Sequence, residues 1–325
     1  MSRLWAFGCF VVCLVWISQA SPAEMPLRIG VLKFGSVSWE LEVIRRHDLD
    51  RAEGFRIERL ELATNQATQV ALQARQVDAI VSDWFWVSRQ RGEGTDWTFF
   101  PISTALGAVI VPAGSSLRSA SDLAGRRLGI AGSPLDKSWL LLRALSRHKY
   151  GRDLNETAIK TFAAPPLLGE QLQAGRLDAV LTYWPFAAKL EARGMQRLIG
   201  MDGVMEELGI KRPVPLVGYV VSEQWTKEHR DLVQAFLRAS GRARQILAES
   251  DAEWDALAPM TGAADGKELA RIRDAFRAGM PRHWGVEERS EAARLYRLLA
   301  EIGGVALVGK STELQPGTFL DDVSF

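Results

Sequence analysis

The sequence predicts an α/β protein of two similar lobes facing each other across a cleft, followed by a helical final third. Two observations carry this. The first is an internal repeat: Leu72-Gln-Ala-Arg-Gln-Val-Asp78-Ala-Ile-Val-Ser-Asp-Trp84 returns 100 residues later as Leu172-Gln-Ala-Gly-Arg-Leu-Asp178-Ala-Val-Leu-Thr-Tyr-Trp184, with six of 13 positions identical. Each copy reads as the end of a helix, a turn at the Asp, and a short apolar strand that stops at a Trp. Two copies are too few for a solenoid, so they describe two lobes. In open α/β sheets the carboxyl ends of the strands are where ligands bind, which places a site between the lobes. The second observation is a change of character after residue 222, where amphipathic helical patterns replace the alternation of strands and helices.

Taken in order, Leu27–Leu32 reads as a buried strand, and Ser38 as the N-cap of a helix through Arg46 with Glu40 and Glu42 in its first turn. Arg56–Leu62 alternates as a strand, Thr64 or Asn65 caps a helix to Arg75, and Asp78–Ser82 is a strand feeding a short helix from Trp84 to Gln90. Strands follow at Phe99–Ser103, Ala108–Pro112 and up to Ile130, then a helix from Trp139 to His148. Ile159–Ala163 is a strand, Pro165-Pro166 opens a helix, and the second copy of the repeat comes next. Gln196–Ile199 and Pro215–Val221 complete the strands. Helices are expected at Gln224–Glu249, Asp251–Leu257, Lys267–Phe276 and Val286–Ile302.

Composition narrows the class. The chain has 325 residues with Lys plus Arg at 40 against 39 Asp plus Glu, so no basic excess points to nucleic acid. Residues 1–23 differ from the rest: Arg3, an uncharged apolar run from Leu4 to Ile17, then small residues with cleavage after Ala20 or Ala23. This is the pattern of a secretory signal peptide, and the run is short for a bilayer span of roughly 20 residues. Both cysteines, Cys9 and Cys13, fall within it. The expected mature chain is a soluble exported protein without disulfides or thiol chemistry. His47, His148, His229 and His283 lack metal-ligand spacing, and phosphate-loop and nucleophile-elbow motifs are missing. Catalytic residues, metal and cofactors are therefore all expected to be none.

At Leu172-Gln-Ala-Gly175-Arg-Leu-Asp178-Ala the sequence resembles the periplasmic solute-binding proteins of ABC importers. Ser121-Asp-Leu-Ala-Gly125-Arg-Arg-Leu-Gly-Ile130 is similar to the strand that opens their second lobe. Arg28-Ile-Gly30 with Lys33-Phe-Gly35 resembles the NMT1/THI5-like branch, which binds aliphatic sulfonates, taurine, nitrate and thiamine-pyrimidine precursors. The first copy departs from the pattern, with Arg75 for a glycine and Trp84-Phe-Trp86 for a proline-rich run. The resemblance implies a type II two-lobed periplasmic-binding-protein fold with two crossover strands and a helical C-terminal third. Its parts would be a signal peptide (1–23), lobe 1 (24–107), lobe 2 (108–217), and a return to lobe 1 (218–325). It also implies a periplasmic monomer that hands a small organic solute to an inner-membrane permease with its ATPase. An enzyme on the same fold, a pyrimidine-precursor synthase or a lyase, is the alternative, as is an exported sensor or accessory subunit.

The candidate ligand-binding residues lie where loops follow strand ends. They are Phe34, Gly35, Ser36 and Ser38; Asn65 and Gln66; Asp83 and Trp84; Leu135, Asp136, Lys137 and Ser138; and Tyr183 with Trp184. Helix N-termini at these loops favour an anionic or carbonyl-like group. Against that stands the reading that each Ser, Thr or Asp merely caps its own helix, the preferred one for Asp83. The aromatics bring large apolar area with a polar handle, which suits a small organic solute. The competing reading places them in the core beneath the sheet ends.

Overall fold

A computed structural model describes residues 24–33 and 35–320; residues 1–23 with both cysteines, the stretch expected to be a signal peptide, and Phe34 lie outside the described residues. The first α/β unit runs β1 (Met25–Leu32), α1 (Val37–Arg46), α2 (Leu49–Ala52), β2 (Phe55–Leu62), α3 (Asn65–Gln73), β3 (Ala79–Asp83), α4 (Trp84–Gly92) and β4 (Trp97–Ser103). The second runs β5 (Ala108–Val111), a 3-10 turn (Ala120–Leu123), β6 (Arg127–Ala131), α5 (Lys137–Tyr150), α6 (Leu154–Thr157), β7 (Ile159–Ala163), α7 (Pro165–Gln173), β8 (Ala179–Thr182), α8 (Trp184–Ala192), β9 (Gln196–Gly200) and α9 (Met201–Glu207). The chain then returns through β10 (Val217–Ser222) to α10 (Glu223–Glu228), α11 (Arg230–Glu249), α12 (Asp251–Thr261), α13 (Gly266–Ala278) and α14 (Val286–Val308).

These strands form two five-stranded sheets of matching order, β2-β1-β3-β10-β4 and β7-β6-β8-β5-β9. In each, three parallel strands of one unit are joined by an antiparallel strand that has just crossed from the other. The pairings Asp83↔Val217 and Val217↔Ser103 bring the end of β3, the end of β4 and the start of β10 to one edge of the first sheet. Thr182↔Ala108 and Ala108↔Gly200 do the same in the second. Only Thr104–Gly107 separates β4 from β5, so these two edges face each other. Gly107 lies so close to β8 that a Cβ would run into the Thr182 carbonyl. That crossover position therefore needs glycine.

The repeat is a structural device. Asp78 accepts from the Arg28 backbone N–H at 2.9 Å and from its guanidinium at 3.0 and 2.5 Å. Asp178 holds Arg127 likewise, at 2.8, 3.2 and 2.6 Å. Each Asp N–H returns a bond to the same arginine's carbonyl. Each copy thus pins the start of β3 or β8 to the neighbouring parallel strand, β1 or β6, with a forked charge-assisted pair. The preceding helix ends in the left-handed region in both copies, at Arg75 (φ 57°) and Gly175 (φ 70°), and the flanking N–H groups bond back in the same pattern.

Several expectations shift. Gln224–Glu249 is broken at His229 into α10 and α11, and the short helices α2, α6 and α9 carried too few turns to show a period. Ser36, not Ser38, takes the N-cap position of α1; Ser38 sits inside the first turn and is buried. Glu40 does not face solvent at the helix dipole. It is buried, accepting from Tyr219 Oη at 3.2 Å and Ser240 Oγ at 2.6 Å, and burial pushes its carboxyl up despite the nearby Arg244.

The helical third packs on both units. Helix α11 lies on α1, α14 contacts α4 and α5, and α13 lies along α8. One apolar cluster accordingly runs from Trp84 and Phe85 in the first unit through Tyr296 and Leu299 of α14 to Trp139 and Leu140 in the second.

Candidate functional site

The two facing edges carry polar loops at the ends of β3, β6 and β8. Asp83, at the end of β3, caps α4 by accepting from the Trp86 N–H at 3.1 Å. Its other carboxylate oxygen accepts from Lys137 Nζ at 2.6 Å. Lys137 opens α5 of the second unit, so this ion pair spans the gap between the lobes. Asp136 caps the same helix, accepting from Ser138 N–H at 2.9 Å and Trp139 N–H at 3.4 Å. Burial raises the Asp136 carboxyl above its usual range, while Lys137, the two N–H groups and the Tyr183 hydroxyl oppose the shift. Tyr183 in turn is driven up, by burial first and then by the Asp136 charge.

Gly132 makes the Tyr183–Asp136 contact possible. It follows β6 with φ +91°, and a Cβ there would lie 2.5 Å from Tyr183 Oη and 3.3 Å from Asp136 Oδ2. The hydroxyl therefore sits over bare backbone at the end of β6. Nearby, the Thr182 hydroxyl is buried without a hydrogen-bond partner. The face thus offers a phenol, a desolvated carboxylate, a lysine already paired with Asp83, and the Thr182 hydroxyl. That set can orient a small polar solute by hydrogen bonds; among the described residues no group of His, Cys, Asp or Glu is arranged to hold a metal ion.

The remaining candidates divide. Gly35 and Ser36 stand at the entrance of α1, and Ser36 makes no side-chain cap bond. Asn65 and Gln66 are exposed in the first turn of α3, which Thr64 caps through the Ala67 N–H. Leu135 and Ser138 lie beside Asp136 and Lys137, Leu135 packing on the large core cluster and Ser138 buried. Trp84 requires a correction: it is fully buried, stacked on Phe85 at 4.1 Å, with its indole N–H donated to the Pro215 carbonyl at 2.8 Å. Trp184 is half-buried, packing edge-on against Trp39 of α1 at 5.7 Å and tilted against Phe276 of α13 at 6.2 Å. It joins the lobes. The N-termini of α7 and α8 carry Pro165-Pro166 and Pro185, which have no N–H to offer an anion. Sequence reasoning passed over Gly132; its position between a strand end and a cap, in Ala131-Gly132-Ser133, was the available signal.

Two α/β lobes with crossing strands and facing strand ends define a periplasmic-binding-protein fold. More particularly, residues 99–253 match the family model described as NMT1/THI5 like. The periplasmic aliphatic sulphonate binding protein SsuA of Escherichia coli superposes with a TM-score of 0.71 at 16% identity, covering 93% of this chain and 96% of that one. The alkanesulfonate-binding protein SsuA of Xanthomonas axonopodis pv. citri, bound to MOPS, gives 0.68 at 19% identity over 92% and 99%. The desulfurization enzyme DSZB gives 0.60 at 16% identity over 91% and 98%. Identities this low make the likeness one of fold. Among curated proteins, none matches the chain by sequence.

Proposed function

We propose that the chain is the substrate-binding protein of an ABC transporter, exported to the periplasm, capturing a small organic solute between its lobes and delivering it to a membrane permease with its ATPase. The observation that carries this reading is the Lys137–Asp83 pair, which joins the two strand-end edges where this architecture binds ligands. Tyr183 and Asp136, set over Gly132 on the same edge, supply the polar contacts that orient the solute. A carboxylate- or sulfonate-like group remains the expected solute chemistry, and the entrance of α1, where Ser36 makes no side-chain cap bond, is one N-terminus open to it. No helix among the described residues is long and apolar enough to cross a membrane, which agrees with a partner that supplies the membrane path. Residues 1–23 serve as the export signal in this reading, and the working form is a monomer.

The likeness to DSZB favours a second reading, an enzyme on the same fold. One experiment separates the two: solute uptake into vesicles carrying an ABC permease with its ATPase, with and without this protein, while the solute is followed chemically. Uptake that depends on the protein and leaves the solute unchanged supports transport. Conversion of the solute without any need for the permease overturns it.

A further inference from the structure

We propose that α8, with the arginine that caps its C-terminus, is a latch: it holds the second lobe against the helical third and sets how often the cleft opens. Two stripes of the helix make the contact. Trp184 and Ala188, one turn apart, join the apolar cluster of the first lobe, with Trp184 seated perpendicular to Trp39 at an interplanar angle of 89° and Ala188 buried. Lys189 and Arg193, also one turn apart, reach α12 and α13. The Lys189 ammonium donates to the carbonyls of Thr261 at 2.9 Å and Gly262 at 2.8 Å, at the C-terminus of α12, where the helix dipole favours a cation. Arg193 donates to Glu268 at 2.6 Å, and that carboxylate is only 3% exposed in its side chain.

The C-terminal end of α13 also grips the first crossover. The Gly279 carbonyl, just past α13, accepts from the Thr104 N–H at 2.8 Å and its hydroxyl at 3.1 Å, and a Cβ on Gly279 would run into Ala105. Residues Gly266–Gly279 therefore touch the helix that swings with the second lobe and the segment about which it swings. Hinged lobes move as two packed bodies about a few such residues. Opening the cleft must draw Trp184 off Trp39 and Phe276 and strip Arg193 from Glu268, which keeps the Ala264 N–H at 3.0 Å. That second loss outweighs that of a surface pair, because Glu268 is desolvated where Arg193 meets it. The polar half of the latch, bonded to α12 and α13 at the far end of α8 from Tyr183, thus fixes the closed fraction without meeting the solute, and the apparent affinity scales with that fraction. This needs the two-lobed fold but no particular solute or permease, so it stands or falls apart from the proposed function.

The test is a spin-label distance measurement on the full chain without added solute. Cys9 and Cys13 are replaced by serine, and labels are placed at Val70→Cys on α3 and Leu167→Cys on α7, both exposed and one in each lobe. The unmodified latch gives one dominant separation. In Arg193→Ala, and more so in Lys189→Ala/Arg193→Ala, a second and different separation grows by at least about tenfold in population, the scale expected when one partner of a desolvated pair is truncated. Arg193→Lys, which keeps a cation for Glu268, restores the original distribution in full or in large part. Circular dichroism confirms that each variant is folded; should the double variant fail to fold, Arg193→Ala alone is read the same way. An unchanged distribution in folded Arg193→Ala overturns the proposal, and so does an Arg193→Lys distribution indistinguishable from that of Arg193→Ala.

Discussion

Asp83 and Lys137 meet across the lobes at 2.6 Å while the other oxygen of the same carboxylate caps α4. The two roles separate by mutation. Lys137→Ala removes only the ion pair, which is partly solvent-exposed and worth under about 1 kcal/mol. Asp83→Ala removes the pair and the cap together, and a lost cap costs about 1 kcal/mol more. Urea unfolding should rank Asp83→Ala below Lys137→Ala by about that amount. Equal midpoints would mean that the cap carries no stability.

Arg75 holds a backbone conformation in the first repeat that Gly175 holds in the second. A side chain in the left-handed region costs roughly 1–2 kcal/mol, and glycine returns roughly 0.4–1 kcal/mol of that as extra freedom in the unfolded chain. Arg75→Gly should therefore stabilise the protein, by about 0.5–1 kcal/mol, raising the thermal midpoint. A lower midpoint would show that the arginine has a compensating contact.

The paired Asp78–Arg28 and Asp178–Arg127 forks differ in burial: Asp78 is 9% exposed in its side chain and Asp178 30%. Hydrogen bonds to a charged group contribute about 1.5–3 kcal/mol, less where solvent screens them. Asp78→Asn should thus cost more than Asp178→Asn. The Arg127 guanidinium holds the Asp178 carboxyl below its usual range. A depressed folded pKa gives stability that is full above the unfolded value and is lost as pH falls through the folded one. The gap between wild type and Asp178→Asn should therefore narrow steadily as unfolding is measured from neutral pH into acid. A gap that widens in acid would contradict the assignment.

How far the sequence reached can be judged residue by residue. Thr64 and Asp83 were legible as caps because a capping side chain bonds an N–H only two or three residues on. The Asp of the repeat was legible as a turn, but its partners Arg28 and Arg127 lie 50 and 51 residues away, beyond any local pattern. Trp84 was misread for a related reason. A tryptophan at a strand-to-helix junction fits either a cleft wall or a core, and what decided was Pro215 and Phe319, brought to it by the return strand and the C-terminal tail. The bridging role of Trp184 depends on α1 and α13, and the two-sided packing of the helical third on contacts among helices that looked alike in amphipathic pattern. Local chemistry was readable. Contact between distant segments was not.

Tyr183 Oη and Asp136 Oδ2 both lie over Gly132, and the hydroxyl beside the carboxylate holds down a carboxyl that burial pushes up. Tyr183→Phe removes the donor and leaves the burial, so the Asp136 carboxyl should rise further. A raised folded pKa gives stability that is full below the unfolded value and lost as pH rises through the folded one. The variant should therefore lose more stability than wild type as pH is raised from acid toward neutral. Carbon-detected NMR titration of the Asp136 carboxyl reads the shift directly, and an unmoved or lower midpoint would contradict the contact.

The central claim is that a small solute is held between the lobes at the edge carrying Tyr183, Asp136 and Lys137. The most direct measurement is native mass spectrometry of the protein after incubation with a panel of small organic solutes that includes aliphatic sulfonates, run beside Tyr183→Ala/Lys137→Ala. The account predicts one solute bound per chain, released intact on denaturation, with occupancy falling at least about tenfold in the variant, as for a lost anchor worth 1.4 kcal/mol or more. Occupancy undiminished in the folded variant, or a solute recovered chemically altered, would contradict it.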